Sequence, residues 1–183
     1  LRAYLISKLM WDPEAHPDAI IEDFLMGYYG KAAPFVNQYI EKMRLSLLND
    51  NFRLNIFGDP RDAVKNYLAP ELMNEYNDLF DNAEKAVLGD EEKHHRVREA
   101  RLALLIAEIQ IAGQIPVEQD GSFYEINSNG KVIPKPAMRE KLEDFIKRAK
   151  KAGMLRVGER AITIEDYADN FKRMFEKMKQ MDH

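Results

Sequence analysis

The chain has 183 residues, 45% hydrophobic and 32% charged, the proportions of a folded globular protein and not of a disordered one. It contains no cysteine, which excludes a disulfide framework, a thiolate metal site and a cysteine nucleophile. A net charge of -4 and a pI near 5.7 argue against broad electrostatic binding to nucleic acid, and no apolar run reaches the about 20 residues that span a bilayer.

Glycine and proline punctuate the chain into about seven or eight helices. The reading is a mainly α fold, an irregular helical bundle with one or two small β-hairpins. Ala3, Leu5, Ile6, Leu9 and Met10 follow a helical period from the first residues, with no secretory leader pattern and no frayed polar start. The chain therefore reads as excised from something longer. Asp12-Pro13 ends the first helix, because the residue before a proline is pushed out of helical geometry.

Pro17 and Asp18 open the second helix, with proline in the first turn and an acid facing the helix dipole. It carries Ile20, Ile21, Phe24, Leu25 and Tyr28, and Gly30 is placed to close it in a left-handed cap. Pro34 lies in the first turn of a third helix bearing Phe35, Val36, Tyr39, Ile40, Met43 and Leu47. A short helix is expected near 61–68. Pro70 opens another, with Leu72, Met73, Tyr76, Leu79, Phe80 and Ala83 on one face.

From about Glu91 to Ile111 the pattern predicts one long helix. Its second half is apolar on every side, which predicts burial at the centre of the bundle. Gly113 and Pro116 stop it. Ser122-Phe123-Tyr124-Glu125-Ile126 and Lys131-Val132-Ile133 flank Asn127-Ser128-Asn129-Gly130, the pattern of a β-hairpin over 122–133. A helix with Met138, Leu142, Phe145, Ile146 and Ala149 follows, ended by Gly153. A second hairpin is expected near 155–162, turning at Gly158-Glu159-Arg160. Thr163 and Asp166 then resemble a capping box with aspartate replacing the usual glutamate. The last helix would carry Ile164, Tyr167, Ala168, Phe171, Met174, Phe175 and Met178.

Few residues stand out as candidates for chemistry. His95 has Glu91 and Glu99 one helical turn to either side, so a carboxylate–imidazole metal pair is geometrically possible. The charged, solvated start of a helix accounts for these residues better, since a third ligand would have to come from elsewhere. Glu108 sits in the most apolar segment and must be paired or protonated, with Arg101 or a residue of a neighbouring helix as partner. The basic run Lys147-Arg148-Ala149-Lys150-Lys151 suits the last turn of a helix. There is no glycine-rich phosphate loop and no nucleophile elbow. No catalytic residue, metal ligand or cofactor site is assigned.

Trp11, the single tryptophan, stands beside the Asp12-Pro13 break, and Tyr28-Tyr29 just before Gly30. Aromatic rings at such places stack on sugars or anchor packing.

Leu1 through Tyr39 carries a resemblance. Leu1-Arg2-Ala3-Tyr4-Leu5, Lys8-Leu9-Met10-Trp11-Asp12-Pro13, Phe24-Leu25-Met26-Gly27-Tyr28-Tyr29-Gly30 and Ala32-Ala33-Pro34 resemble a bacterial glycan-utilisation family long catalogued as a domain of unknown function. Its characterised relatives are endo-β-N-acetylglucosaminidases acting on complex N-glycans, built as a (β/α)₈ barrel followed by a helical C-terminal region. Catalytic groups of such barrels lie at the strand ends, so the resemblance implies that the chemistry lies outside this chain.

It implies a non-catalytic helical portion of a glycoside hydrolase, secreted to the periplasm or cell surface. Its partners would be the parent's catalytic barrel and, through it, the glycan. Residues 1–52 would follow the barrel and 53–183 would form a C-terminal helical domain. Leu5, Leu9, Trp11 and the Phe24/Tyr28 stripe would meet the barrel, with Trp11 the one candidate substrate contact at the cleft edge. His16 stands where relatives carry an acidic cap, which implies a locally weakened helix start. A free-standing helical protein- or glycan-binding module is the alternative.

Overall fold

A computed structural model describes residues 1–50, 52–55, 58–157 and 162–171. The fold is mainly α with two small antiparallel hairpins. The elements are α1 (Arg2–Trp11), α2 (Pro17–Tyr29), α3 (Ala33–Asn49), α4 (Pro70–Ala86), α5 (Glu91–Ala100), α6 (Leu102–Ala112), β1 (Tyr124–Ile126), β2 (Val132–Pro134), α7 (Pro136–Lys151), β3 (Arg156–Val157) and β4 (Ile162–Thr163). A further helix, α8, is described over 164–171. Met174, Phe175 and Met178 of the expected last helix lie outside the described residues, as does the turn at 158–161. No described helix is long and apolar enough to cross a membrane.

By their contacts the described residues form two compact units, one from Leu1–Gly58 and Ala63–Arg101, the other from Asp59–Asp62 and Leu102–His183. In the first unit α2 and α3 form a helical hairpin, with α4 packed on α3 and α5 on α2. Its core holds Ile20, Leu25, Val36, Met73, Tyr76 and Phe80. Tyr39 packs edge-on against Tyr76 at 5.1 Å and lies 4.9 Å from Phe80. That α3–α4 contact follows from the spacing of apolar residues on the two helices.

Local signals explain most helix ends. Proline sits in the first turn of α2, α3, α4 and α7, where a missing N–H leaves no bond unmade. Asp90 caps α5 by accepting the Lys93 N–H at 3.1 Å. Gly30 has φ 55° and ψ -126°, a region that only glycine enters freely. This is not the left-handed cap expected from sequence, because the chain turns through a 3-10 segment, Gly30–Ala32, straight into α3.

His16 makes no side-chain cap bond to α2, and its Nδ1 stands 3.9 Å from Asp18. A carboxylate there would accept a free N–H of the first turn. His16→Asp is therefore expected to stabilise the first unit by about 1 kcal/mol, seen as a higher urea midpoint at unchanged slope. An unchanged midpoint would show that this helix start is already satisfied.

Two expected helices come out differently. Over 61–68 no α-helix forms. A 3-10 turn, Pro60–Ala63, takes its place, held by Asp59, which accepts the Arg61 N–H at 3.0 Å and donates its own to Asp62 at 2.9 Å. The long helix expected over 91–111 is interrupted at Arg101, which closes α5 through its N–H to Val97 at 3.1 Å. The charged half, α5, belongs to the first unit and the apolar half, α6, to the second.

In the second unit α6 buries Leu102, Leu104, Leu105, Ala107, Ile109 and Ala112, as its all-round apolar character demands. Packed with it are Phe123, Tyr124, Leu142, Phe145, Tyr167 and Phe171. The hairpin pairs Tyr124 with Pro134 and Ile126 with Val132. Gly130 takes φ 71° at its turn, and the Asn127 side chain accepts from the N–H groups of Asn129 and Lys131, each at 2.9 Å. The second hairpin pairs Arg156 with Thr163. Thr163 accepts the Asp166 N–H at 3.0 Å and donates its hydroxyl to the Asp166 carboxylate at 2.8 Å. This is half of a capping box, since aspartate is one methylene shorter than the glutamate that normally reaches back.

Candidate functional site

Two open surfaces lie in the first unit. Helix α1 rests on α2 through Tyr4, whose ring lies 5.4 Å from Phe24 and whose hydroxyl donates to Asp23. Phe24 stacks on Tyr28 at 5.1 Å, and Tyr28 meets Tyr29 edge-on at 5.0 Å. The Arg96 guanidinium of α5 lies 4.3 Å from the Tyr28 ring centre and donates to the Tyr28 carbonyl at 3.1 Å. Burial, with Tyr28 and Glu99 adding to it against Arg96, pushes the Tyr29 phenol up to about 12. It is therefore neutral at physiological pH. The Phe24/Tyr28 stripe is thus largely engaged inside the unit, by α1 on one side and α5 on the other.

The rest of α1 is uncovered. None of its residues is buried, although most are apolar. Ile6, Met10 and Trp11 are 47%, 80% and 91% exposed, and Leu5 and Leu9 are half-buried. Ile6, Leu9 and Met10 follow an i, i+3, i+4 spacing and share one helix face. Trp11 stands at the end of the helix with its ring in the open.

The structure also shows a cleft of about 860 Å³ along the α2–α3 hairpin, lined by Asp18, Ile21, Glu22, Leu25, Met26, Ala33, Pro34, Asn37, Glu41 and Arg44. Leu25 and Ala33 are buried at its floor, while Asp18, Glu22, Met26, Asn37 and Arg44 are exposed along its lips. Arg44 binds Glu41 through two nitrogens at 2.7 and 3.0 Å, and that bond holds the Glu41 carboxyl below its ordinary range. Sequence reading missed this cleft. The available signal was α2 itself, whose apolar residues Ile20, Ile21, Phe24, Leu25, Met26 and Tyr28 cover more of the helix circumference than one stripe against a core requires.

The remaining candidates resolve into ion pairs. His95 Nε2 lies 3.4 Å from Glu99, whereas His94 Nε2 lies 3.8 Å from Glu84, so the adjacent histidines face different carboxylates. Among the described residues no group of three or more histidine or acidic side chains is placed to hold a metal ion. Glu108 pairs with Lys141 of α7 at 2.6 Å. Of the two partners expected for it, the neighbouring helix thus supplies one, while the Arg101 guanidinium is engaged by Asp81, Glu84 and Asn77 of α4. Arg148 of the basic run reaches Asp144 at 2.6 Å and Lys150 reaches Glu165 at 2.6 Å.

What the fold defines is a mainly helical protein with two small hairpins. Residues 1–41 match the family described as "Domain of unknown function (DUF4838)", a stretch covering α1, α2 and the first half of α3. No curated protein and no solved structure matches the chain.

Proposed function

We propose that this chain is the non-catalytic C-terminal helical portion of a glycoside hydrolase of endo-β-N-acetylglucosaminidase type. In it, α1 seats against the catalytic barrel, and Trp11 stands at the edge of the glycan cleft. The carrying observation is the uncovered face of α1, where Ile6, Met10 and Trp11 stand in solvent. Exposed apolar side chains gathered on one short helix are the mark of a surface that another body covers. The matched stretch, residues 1–41, contains that helix. A parent of this kind would work in the periplasm or at the cell surface.

Two experiments test this reading. The first assays the chain and a longer parent on a complex N-glycan, with release of the glycan expected from the parent alone. Turnover by the chain alone would defeat the proposal. The second introduces Met10→Asp into both. Met10 is 80% exposed, so the chain alone should change by no more than about 0.5 kcal/mol. The parent, which would bury that side chain, should lose roughly 2 kcal/mol or more. Equal effects in both would mean that nothing covers α1.

The α2–α3 cleft favours a second reading, a free-standing binding module. Saturable binding of a glycan or protein by the chain alone, together with an inactive parent, would select it.

A further inference from the structure

The cleft between α2 and α3 is an open groove lined by three carboxylates and one arginine. Asp18 and Met26 bracket it along α2, and the eight helical steps between them span about 12 Å, slightly more than two turns. Arg44 lines it with Asp18, and Ala33 lines it with Met26, as an antiparallel hairpin requires. Its walls are therefore two helices running side by side with a trough between them.

The opposite face of the hairpin is occupied, since α4 packs on α3 and α5 on α2. The trough side is open. Ile21, Leu25 and Ala33 give it an apolar floor, and the exposed Met26 is a flexible thioether of the kind that adapts to a partner's side chains. Leu48, one turn beyond Arg44 on α3, is 64% exposed and continues the apolar track.

The rim selects the sign of the occupant. Asp18, Glu22 and Glu41 are anionic, and Arg44, the one cation among the lining residues, is tied to Glu41 at 2.7 Å. Asp18 and Glu22 stand four residues apart on the same lip, so their charges add along the groove. A trough in which Ile21, Met26 and Pro34 are accessible beside an acidic lip suits an amphipathic helix whose apolar i, i+4 residues enter the trough while flanking lysines or arginines meet the carboxylates.

We infer that the α2–α3 cleft docks a basic amphipathic helix of a protein partner. This does not depend on the catalytic parentage proposed above, because α1 and its exposed face are not part of the cleft.

The test uses the full chain and a synthetic leucine–lysine amphipathic helix of about 12 residues, three turns or slightly more, labelled for fluorescence anisotropy. A leucine–glutamate peptide of the same pattern is the control. Saturable binding of the lysine peptide is expected, weakened at least tenfold by Asp18→Asn with Glu22→Gln and by raised salt. The glutamate peptide should not bind. Both substituted side chains are exposed, so circular dichroism should show both variants folded, and Met10→Asp should leave binding intact. No saturable binding, equal binding of both peptides, or unchanged affinity in the double variant would overturn the inference. Loss of binding in Met10→Asp would move the site to α1 and overturn it as well.

Discussion

Phe145→Ala should lower the stability of the second unit by about 3–5 kcal/mol, the range for deleting a fully buried aromatic ring. Phe145 is completely buried on α7, within the cluster that includes Leu105, Ile109, Leu142 and Phe171. The Tyr167 ring lies 5.7 Å away at 59°, so the deletion also removes an aromatic pair. The walls of the resulting cavity come from α6, α7 and α8, each carrying further buried residues, so they cannot close over it. A urea titration followed by circular dichroism measures the loss, and a change below about 1 kcal/mol would mean that the core repacks freely. Phe145→Leu, which keeps most of the volume, should cost clearly less.

The second large effect is expected at Arg101. Its guanidinium donates to Asp81 at 2.6 Å, to Glu84 at 3.1 Å and to Asn77 at 2.7 Å. These partners stand at i, i+4 and i+7 on α4, so one side chain joins the end of α5 to a full face of α4. The guanidinium is held charged: burial opposes the charge, but the bonds to Asp81 and Glu84 outweigh it and raise its pKa. Arg101→Ala leaves Glu84, 18% exposed, without the guanidinium that stands 3.1 Å from it. Breaking a largely buried pair from one side costs about 3–5 kcal/mol, reduced here towards about 3 because Asp81 is half-exposed and screened.

Arg101→Met separates charge from packing, since it keeps the stem while removing the bonds. Both variants are checked by thermal unfolding. If Arg101→Ala loses less than about 1 kcal/mol, the network is decorative and α5 is held by Val97 and the aromatic contacts at Tyr28 instead.

Features set by near neighbours were legible from sequence. The hairpin over 124–134 was readable because Asn127 and Gly130 carry the turn through their own side chain and backbone, whatever lies above them. The proline-led starts of α2, α3, α4 and α7, and the stop at Gly153, are of the same kind. The aromatic face of α4 was visible as a 3.6-residue period and turned out to be the face on Tyr39. Of the α1 residues expected to face outward, Trp11 does so, whereas Leu5 and Leu9 are half-buried and the open positions are Ile6 and Met10.

Other features depended on residues far apart in the chain. Nothing local in Arg98-Glu99-Ala100-Arg101-Leu102 interrupts a helix, since there is no glycine or proline. The break coincides with a guanidinium engaged twenty residues back, at Asp81. Glu108 was recognisable as a carboxylate that needed a partner, but choosing Lys141 required α7 to lie against α6. The cleft was not read from sequence, because its lining is recruited from both arms of a hairpin.

The amino-acid order by itself determined the class of fold, the proline-led helix starts and the hairpin over 124–134. Those choices turn on φ/ψ limits and on hydrogen bonds reaching no more than a turn along the chain. Tertiary structure alone decided where one unit stops and the next starts, which cation neutralises Glu108, and which helix faces remain unoccupied. Each of these depends on surfaces brought together from distant stretches, and burial against them cannot be read from local pattern.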